Sequence, residues 1–260
     1  MVSPQRISPS VSRLSLATIA LGLAMLPLTA CRDDVAHSES PVPASGITAT
    51  PAKMTESPAP DASLARPARS PETAQPDSRP LLICFGDSLT AGYGTDPGQS
   101  YPDDLQHLLD KQGYRYRVVN EGVSGNTTKD GLDRIDSVIE QHPRLVVVEF
   151  GGNDGLRGLP VEQTKANLSE IIDRIQKSGA TVALAGITLP PDYGADYIGR
   201  FDAMYPALAK QYHVRLLPFL LQNVYGVPGD MQDDATHATA KGNKQVAENV
   251  QQLIHPLLKK

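Results

Sequence analysis

From residue 81 onward, short apolar runs rich in β-branched residues alternate with stretches whose apolar positions recur every three or four residues. Residues 81–85, 117–119, 145–150, 181–187 and 214–217 have the first pattern and are predicted strands. In the third, Leu145, Val146, Val147 and Val148 leave no polar face, which places that strand inside a sheet covered on both sides. Amphipathic helices are predicted around Leu105, Leu108 and Leu109; around Leu132, Ile135, Val138 and Ile139; and around Leu168, Ile171, Ile172 and Ile175. A last helix carries Val246, Val250, Leu253 and Leu257. Gly113 and Gly179 stand where helix C-caps are expected, and Pro143 stops the second helix. Strands and helices alternating in this way predict an α/β fold, a parallel sheet with helices on both faces.

The first 80 residues follow a different pattern. Arg6 and Arg13 precede an apolar run over 14–28, short for a span of ~20 residues and carrying Pro27 near its end. Leu28-Thr29-Ala30-Cys31 resembles a bacterial lipobox, which implies a signal peptide over 1–30 and lipidation of Cys31. Residues 32–80 hold no Phe, Tyr or Trp, and their Pro, Ala, Ser and Thr recur without a period. A disordered tether over 31–80 is therefore expected, with a reach on the order of 40 Å, followed by one domain over 81–260.

Composition narrows the chemistry. Residues 1–80 hold seven basic and seven acidic groups, so the whole formal charge of -5 belongs to the domain. That charge argues against a nucleic-acid partner, which needs a face rich in Lys and Arg. Two Cys exclude a disulfide scaffold, and Cys84, between Ile83 and Phe85, reads as a small buried residue.

In open α/β sheets chemistry gathers at the carboxyl ends of the strands. Those ends carry Gly86-Asp87-Ser88-Leu89-Thr90, Asn120-Glu121-Gly122-Val123-Ser124-Gly125-Asn126 and Gly151-Gly152-Asn153-Asp154-Gly155; the fifth strand leads to Asp233-Asp234-Ala235-Thr236-His237. A hydroxyl, a base with an acid three residues before it, and turns rich in N–H donors are the parts of an acyl-transfer site. Competing motifs fail on spacing. No Lys completes a P-loop after Gly86, Pro97 stands where a dinucleotide fingerprint from Gly92 needs its third Gly, and Thr90 breaks a G-x-S-x-G elbow. Taken alone, Ser88 also reads as a helix cap, and Asn153 and Asp154 as turn formers. Either Asp233 or Asp234 reads as the acid, spacing favouring Asp234. His107, His142, His213 and His255 have no carboxylate partner in sequence and read as surface or core positions.

These blocks, in this order across 81–260, resemble the SGNH (GDSL) hydrolases, and within them the bacterial arylesterase, acyl-CoA thioesterase I and lysophospholipase subgroup. The resemblance implies a flavodoxin-like α/β/α fold with a central, mainly parallel five-stranded sheet. It implies a serine esterase acting on carboxylic esters and thioesters, with Ser88 as nucleophile, His237 as base and Asp234 as its orienting acid. The oxyanion would meet the backbone N–H groups of Ser88 and Gly125 and the Asn153 amide, and neither metal nor cofactor is needed. Asp154, Leu189, Pro190 and Tyr225 are expected at the substrate, with 219–231 bordering the pocket. Members often carry Pro after the catalytic His; here Ala238 is expected to loosen that loop. Arg32 after Cys31 implies an envelope lipoprotein of the outer membrane facing the periplasm, and the family implies a monomer. An O-acetylesterase of polysaccharide or peptidoglycan, and a non-catalytic binding lipoprotein, are the alternatives.

Overall fold

The computed structural model describes residues 77–260. The predicted signal peptide, Cys31 and the tether as far as residue 76 lie outside the described residues. The last four residues assigned to the tether belong with the domain instead. Arg79 donates to the Tyr116 carbonyl (3.3 Å) and the Pro80 carbonyl accepts from Arg117 N–H (3.0 Å), continuing the edge of the sheet.

Five strands form the sheet: β1 (Leu81–Gly86), β2 (Arg117–Gly122), β3 (Leu145–Glu149), β4 (Thr181–Ala185) and β5 (Arg215–Leu217). Their order is β2-β1-β3-β4-β5 and every pairing is parallel. Eight helices accompany them: α1 (Ser88–Ala91), α2 (Tyr101–Lys111), α3 (Thr128–Asp133), α4 (Ile135–Ile139), α5 (Gly152–Leu156), α6 (Val161–Lys177), α7 (Ala195–Tyr212) and α8 (Ala240–Ile254). Helix α2 packs on α8, and α6 packs on α3 and α7, so the sheet lies between two helical layers. As its all-apolar run requires, β3 is buried along its whole length. The core continues through Phe85 and Phe150, whose rings meet edge to face at 4.8 Å.

Helix starts follow local chemistry. Ser100 and Asp103 form a reciprocal capping box at α2, and Thr127 and Asp130 another at α3. Gly113 and Gly179 take φ values of 79° and 90°, the left-handed geometry expected just past a helix end.

The elements depart from the sequence pattern at several points. The predicted second helix is two, α3 and α4, because the backbone at Arg134 leaves helical geometry (φ -108°, ψ 8°). Strand β2 runs three residues further than its apolar run, to Gly122, held by the ladder to β1. Strand β4 ends at Ala185, two residues early. Helix α8 stops at Ile254, and Leu257 lies in a 3₁₀ turn with Pro256. No helix was expected over 195–212; Pro206 stands inside α7 and Gly199, a weak helix former, lies on its exposed side.

Asp154 corrects an expectation. It is not at the substrate: it is 2% exposed and faces into the domain from α5. Its carboxylate accepts from Thr128 N–H (2.8 Å), the Thr128 hydroxyl and the Thr164 hydroxyl (3.2 Å), while Asn167 donates to Thr128 Oγ1 (3.0 Å). An acceptor with four lone-pair sites thus ties α5 to the first turns of α3 and α6. Asp154→Ala leaves the Thr128 N–H and hydroxyl unpaired, while the Thr164 hydroxyl keeps the Pro160 carbonyl (3.4 Å), so it is expected to lower the unfolding free energy by about 1–3 kcal/mol, measured by urea denaturation. Parent-like stability with weakened substrate binding would return Asp154 to the cleft.

Candidate active site

With β2 on one side of β1 and β3 on the other, the crossovers diverge at the carboxyl end of β1, the switch point where open α/β sheets bind ligands. Asp87 leaves the strand there and caps α1, accepting from Leu89 N–H at 3.0 Å. The cap fixes Ser88 as the first residue of the helix, so the two readings of this stretch, cap and site, fall on neighbouring residues.

Ser88 Oγ lies 2.8 Å from His237 Nε2, and His237 Nδ1 lies 2.6 Å from Asp234 Oδ2. Asp234 is therefore the partner, as its spacing favoured over Asp233. Its other oxygen accepts from the N–H groups of Thr236 (2.9 Å) and His237 (3.0 Å). Burial pushes the Asp234 carboxyl up, but the backbone and ring N–H groups of His237 and the Thr236 N–H outweigh it and bring it down to about 2. The turn between acid and base passes through Ala235 at φ 53°, an uncommon conformation for a residue with a side chain.

The loosening expected of Ala238 is absent. Ala238 is buried and forms an antiparallel bridge with Met231; Gln232 N–H donates to the His237 carbonyl at 2.8 Å. The Gln232 side chain donates to the carbonyls of Ala238 (2.8 Å) and Tyr93 (2.7 Å), so the bridge and one amide hold the loop without proline. The Tyr93 ring lies 4.6 Å from the His237 ring, centroid to centroid.

The three expected oxyanion donors line one cleft, Ser88 from the start of α1, Gly125 from the turn after β2 and Asn153 from α5. Gly125 adopts φ 82° in a turn closed by Asn126 N–H on the Val123 carbonyl (3.1 Å). That geometry is the type II turn, which needs φ > 0 at its third residue. Neither the Ser88 nor the Gly125 N–H is taken by an acceptor among the described residues. The Asn153 amide, in contrast, is already engaged, donating to Asp87 Oδ2 (3.1 Å) and to the Asn126 carbonyl (3.0 Å).

Behind the serine lies a buried pair of carboxyl groups. Glu149 is fully buried, and its Oε2 accepts from the Thr90 hydroxyl (2.8 Å) and Asp87 N–H (3.3 Å). Burial pushes Asp87 up to about 6 despite the donors from Leu89 and Asn153. Burial first, and Asp87 second, push Glu149 well above the ordinary carboxylate range. Burial likewise pushes the Cys84 thiol up to about 12, which fits an inert core residue.

A cleft of ≈ 480 Å³ opens beside Ser88, with Gly125, Asn153 and His237 in its wall. Leu189, Pro190 and Tyr225 line it, as expected, and so do Phe219 and Leu221 from the segment before the acid. Sequence reasoning missed Tyr93, Leu156 and Ile187. Only Tyr93 and Leu156, exposed aromatic and apolar side chains in the segments that follow β1 and β3, carried a readable signal. No group of three or more His, Cys, Asp or Glu among the described residues could hold a metal ion.

The matched family pattern, that of the GDSL-like Lipase/Acylhydrolase family, spans residues 84–245. Esterase TesA of Pseudomonas aeruginosa is 43% identical over 187 residues, covering 72% of this chain and 92% of that protein. Arylesterase of Vibrio mimicus is 41% identical over 66% of this chain and 86% of its own length. Thioesterase 1/protease 1/lysophospholipase L1 of Escherichia coli is 40% identical over 68% of this chain and 84% of its own length. Among solved structures, TesA superposes with a TM-score of 0.66 at 43% identity, covering 68% of this chain and 99% of that one. The SGNH-hydrolase family esterase AlinE4 gives 0.59 at 40%, covering 70% and 98%. With the pattern matched over more than half the chain, its nucleophile, glycine, asparagine and histidine blocks meeting at one switch point, the chain belongs to the GDSL-like Lipase/Acylhydrolase family, the SGNH hydrolases.

Proposed function

We propose that the protein hydrolyses carboxylic esters and thioesters through an acyl-enzyme formed on Ser88, with acyl chains longer than acetyl held in the apolar cleft. The observation that carries this reading is the unbroken chain from Ser88 Oγ through His237 to Asp234 at the wall of that cleft. Ionised Asp234 can only accept, so Nδ1 of His237 keeps its proton and Nε2 is left as the base. Nε2 takes the Ser88 proton as Oγ attacks the carbonyl carbon, and returns it to the leaving alkoxide or thiolate. The Asp234 carboxylate stabilises the imidazolium between those steps. Water then enters by the same route in reverse and releases the acid.

The free N–H groups of Ser88 and Gly125 take the oxyanion. Asn153 joins them by turning one amide hydrogen away from Asp87 or the Asn126 carbonyl toward the developing charge. Leu189, Pro190 and Tyr225 wall the acyl chain. The names of the relatives, an esterase, an arylesterase and a thioesterase that is also a lysophospholipase, agree with acyl transfer to water from oxygen or sulfur leaving groups.

The sequence further supports an exported enzyme, lipid-anchored through Cys31 in the outer membrane and facing the periplasm, with the segment after Cys31 as its tether; that it is a monomer follows from the family resemblance alone. Cys31→Ser is expected to move the protein from the membrane to the soluble fraction of the envelope; unchanged membrane retention would sink the anchor.

Against p-nitrophenyl esters from acetate to palmitate, activity is expected to peak beyond acetate. Ser88→Ala is expected to lower it roughly 10⁵–10⁶-fold. A preference for acetate alone would favour carbohydrate deacetylation, and an active Ser88→Ala variant would overturn the mechanism. Asp234→Asn offers His237 a donor where it needs an acceptor, and a fall of roughly 10⁴-fold in kcat is expected. Asn153→Ala is expected to cost roughly 10²–10³-fold in kcat, read in the same assay.

A further inference from the structure

The three oxyanion donors sit on three separate segments that leave β1, β2 and β3, at the start of α1, in a turn and in α5, and nothing in the proton-transfer chain fixes one of these connecting loops against another. We infer that Arg134, at the break between α3 and α4, is the positioning residue that clamps these loops into a working oxyanion hole. The inference rests on the proposed roles of Ser88, Gly125 and Asn153.

The Arg134 guanidinium donates along one edge to three acceptors. Nη2 reaches the carbonyls of Gly86 and Glu121, each at 2.9 Å, and Nε reaches Asn126 Oδ1 at 2.8 Å. Gly86 lies two residues before Ser88, Glu121 is the last residue but one of β2, and Asn126 directly follows Gly125. The carbonyl of the same Asn126 accepts from the Asn153 amide. One planar cation thereby connects, within one or two bonds, all three donors. The Gly86 carbonyl also accepts from Val123 N–H (3.1 Å), so the guanidinium adds its charge-assisted bond to an existing link between the first two loops.

The cation is itself held. Its carbon lies 4.5 Å from the centroid of the Phe85 ring and 5.7 Å from that of Phe150, side chains of β1 and of the residue after β3. Glu121 Oε2 is 3.9 Å from Nη1, and the Arg134 side chain is only 21% exposed. The break in the helix accounts for this placement: Arg134 leaves helical geometry where its side chain turns to the strand ends. Lysine, with a single nitrogen, cannot span three acceptors set in a plane. Arg134 is not in the wall of the cleft, so substrate binding is not expected to depend on it.

Donor loops released by about 1 Å cost on the order of 10²-fold in rate. Arg134→Ala and Arg134→Lys are therefore expected to lower kcat by about that factor, with KM changed by no more than about twofold. Affinity for an alkyl boronate, which places a tetrahedral oxygen in the hole, is expected to fall in step with kcat. Millimolar guanidinium ion, well below denaturing concentration, is expected to restore part of kcat in Arg134→Ala and none in Arg134→Lys, whose amine fills the space.

Asn126→Ala removes one acceptor of Arg134 and keeps the carbonyl that holds Asn153, so it tests the clamp even if Arg134→Ala fails to fold. It is expected to lower kcat without raising KM, and its effect is expected to vanish in the Arg134→Ala background. The inference is overturned if Asn126→Ala and a folded Arg134 variant keep parent kcat, or if the loss lies in KM alone. Ser88→Ala separates the two levels. An inactive Ser88→Ala beside fully active Arg134 and Asn126 variants removes only the clamp, whereas an active Ser88→Ala removes the mechanism beneath it.

Discussion

The register of three parallel strands governs this molecule. Gly86, the last residue of β1, is paired with Gly122 of β2 on one side and with Glu149 of β3 on the other. All three strands therefore end at one level, and the loops that leave them start within reach of one another. A one-residue slip would turn every strand side chain to the opposite face of the sheet. In β3, such a slip would take the terminal Glu149 away from the Thr90 hydroxyl and the Asp87 N–H that its buried carboxyl accepts from. The need for glycine at the strand ends follows from the same closeness: a Cβ on Gly122 would lie 2.2 Å from the backbone nitrogen of Ala91 in α1, and one on Gly86 2.1 Å from Thr90 Oγ1.

That closeness has an electrostatic cost. Asp87 and Glu149 are both buried, and among the described residues no cation is paired to either and Glu149 Oε1 has no hydrogen-bond partner. Such a pair cannot be doubly ionised at low cost, and burial raises both carboxyl groups, Glu149 well above the ordinary range. The Asp87 carboxyl does two things in this setting: it caps the short helix that begins with Ser88, and it gives the Asn153 amide an acceptor before any substrate arrives.

Much of this was legible in the chain. The strands announced themselves through β-branched apolar runs, and the site through residues placed just after them, because strand ends are where an open parallel sheet exposes backbone to ligands. Asp234 was separable from Asp233 because a spacing of three fits one turn. What escaped depends on partners far away in sequence. Helix α7 hides behind Pro206 and Gly199, whose effect its packing against α6 and β5 offsets. Asp154 looked like a loop residue near substrate, since nothing in Gly152-Asn153-Asp154 tells that Thr128 and Thr164 wait beneath it. Nothing in the sequence singles out Arg134, because its acceptors at Gly86, Glu121 and Asn126 are visible only once the sheet is assembled.

The bridge between Met231 and Ala238 isolates the acid and base from the chain before them. Residues 219–225 supply Phe219, Leu221 and Tyr225 to the cleft and are anchored separately, by Asn249 of α8 donating to the carbonyls of Leu220 and Gln222. The Asp234 and His237 turn is instead fastened to the Tyr93 loop through Gln232. Selectivity for the acyl group and proton transfer are thus mechanically decoupled within one stretch of chain. The cleft wall is free to be recut, lengthened or shortened by mutation while the imidazole keeps its aim.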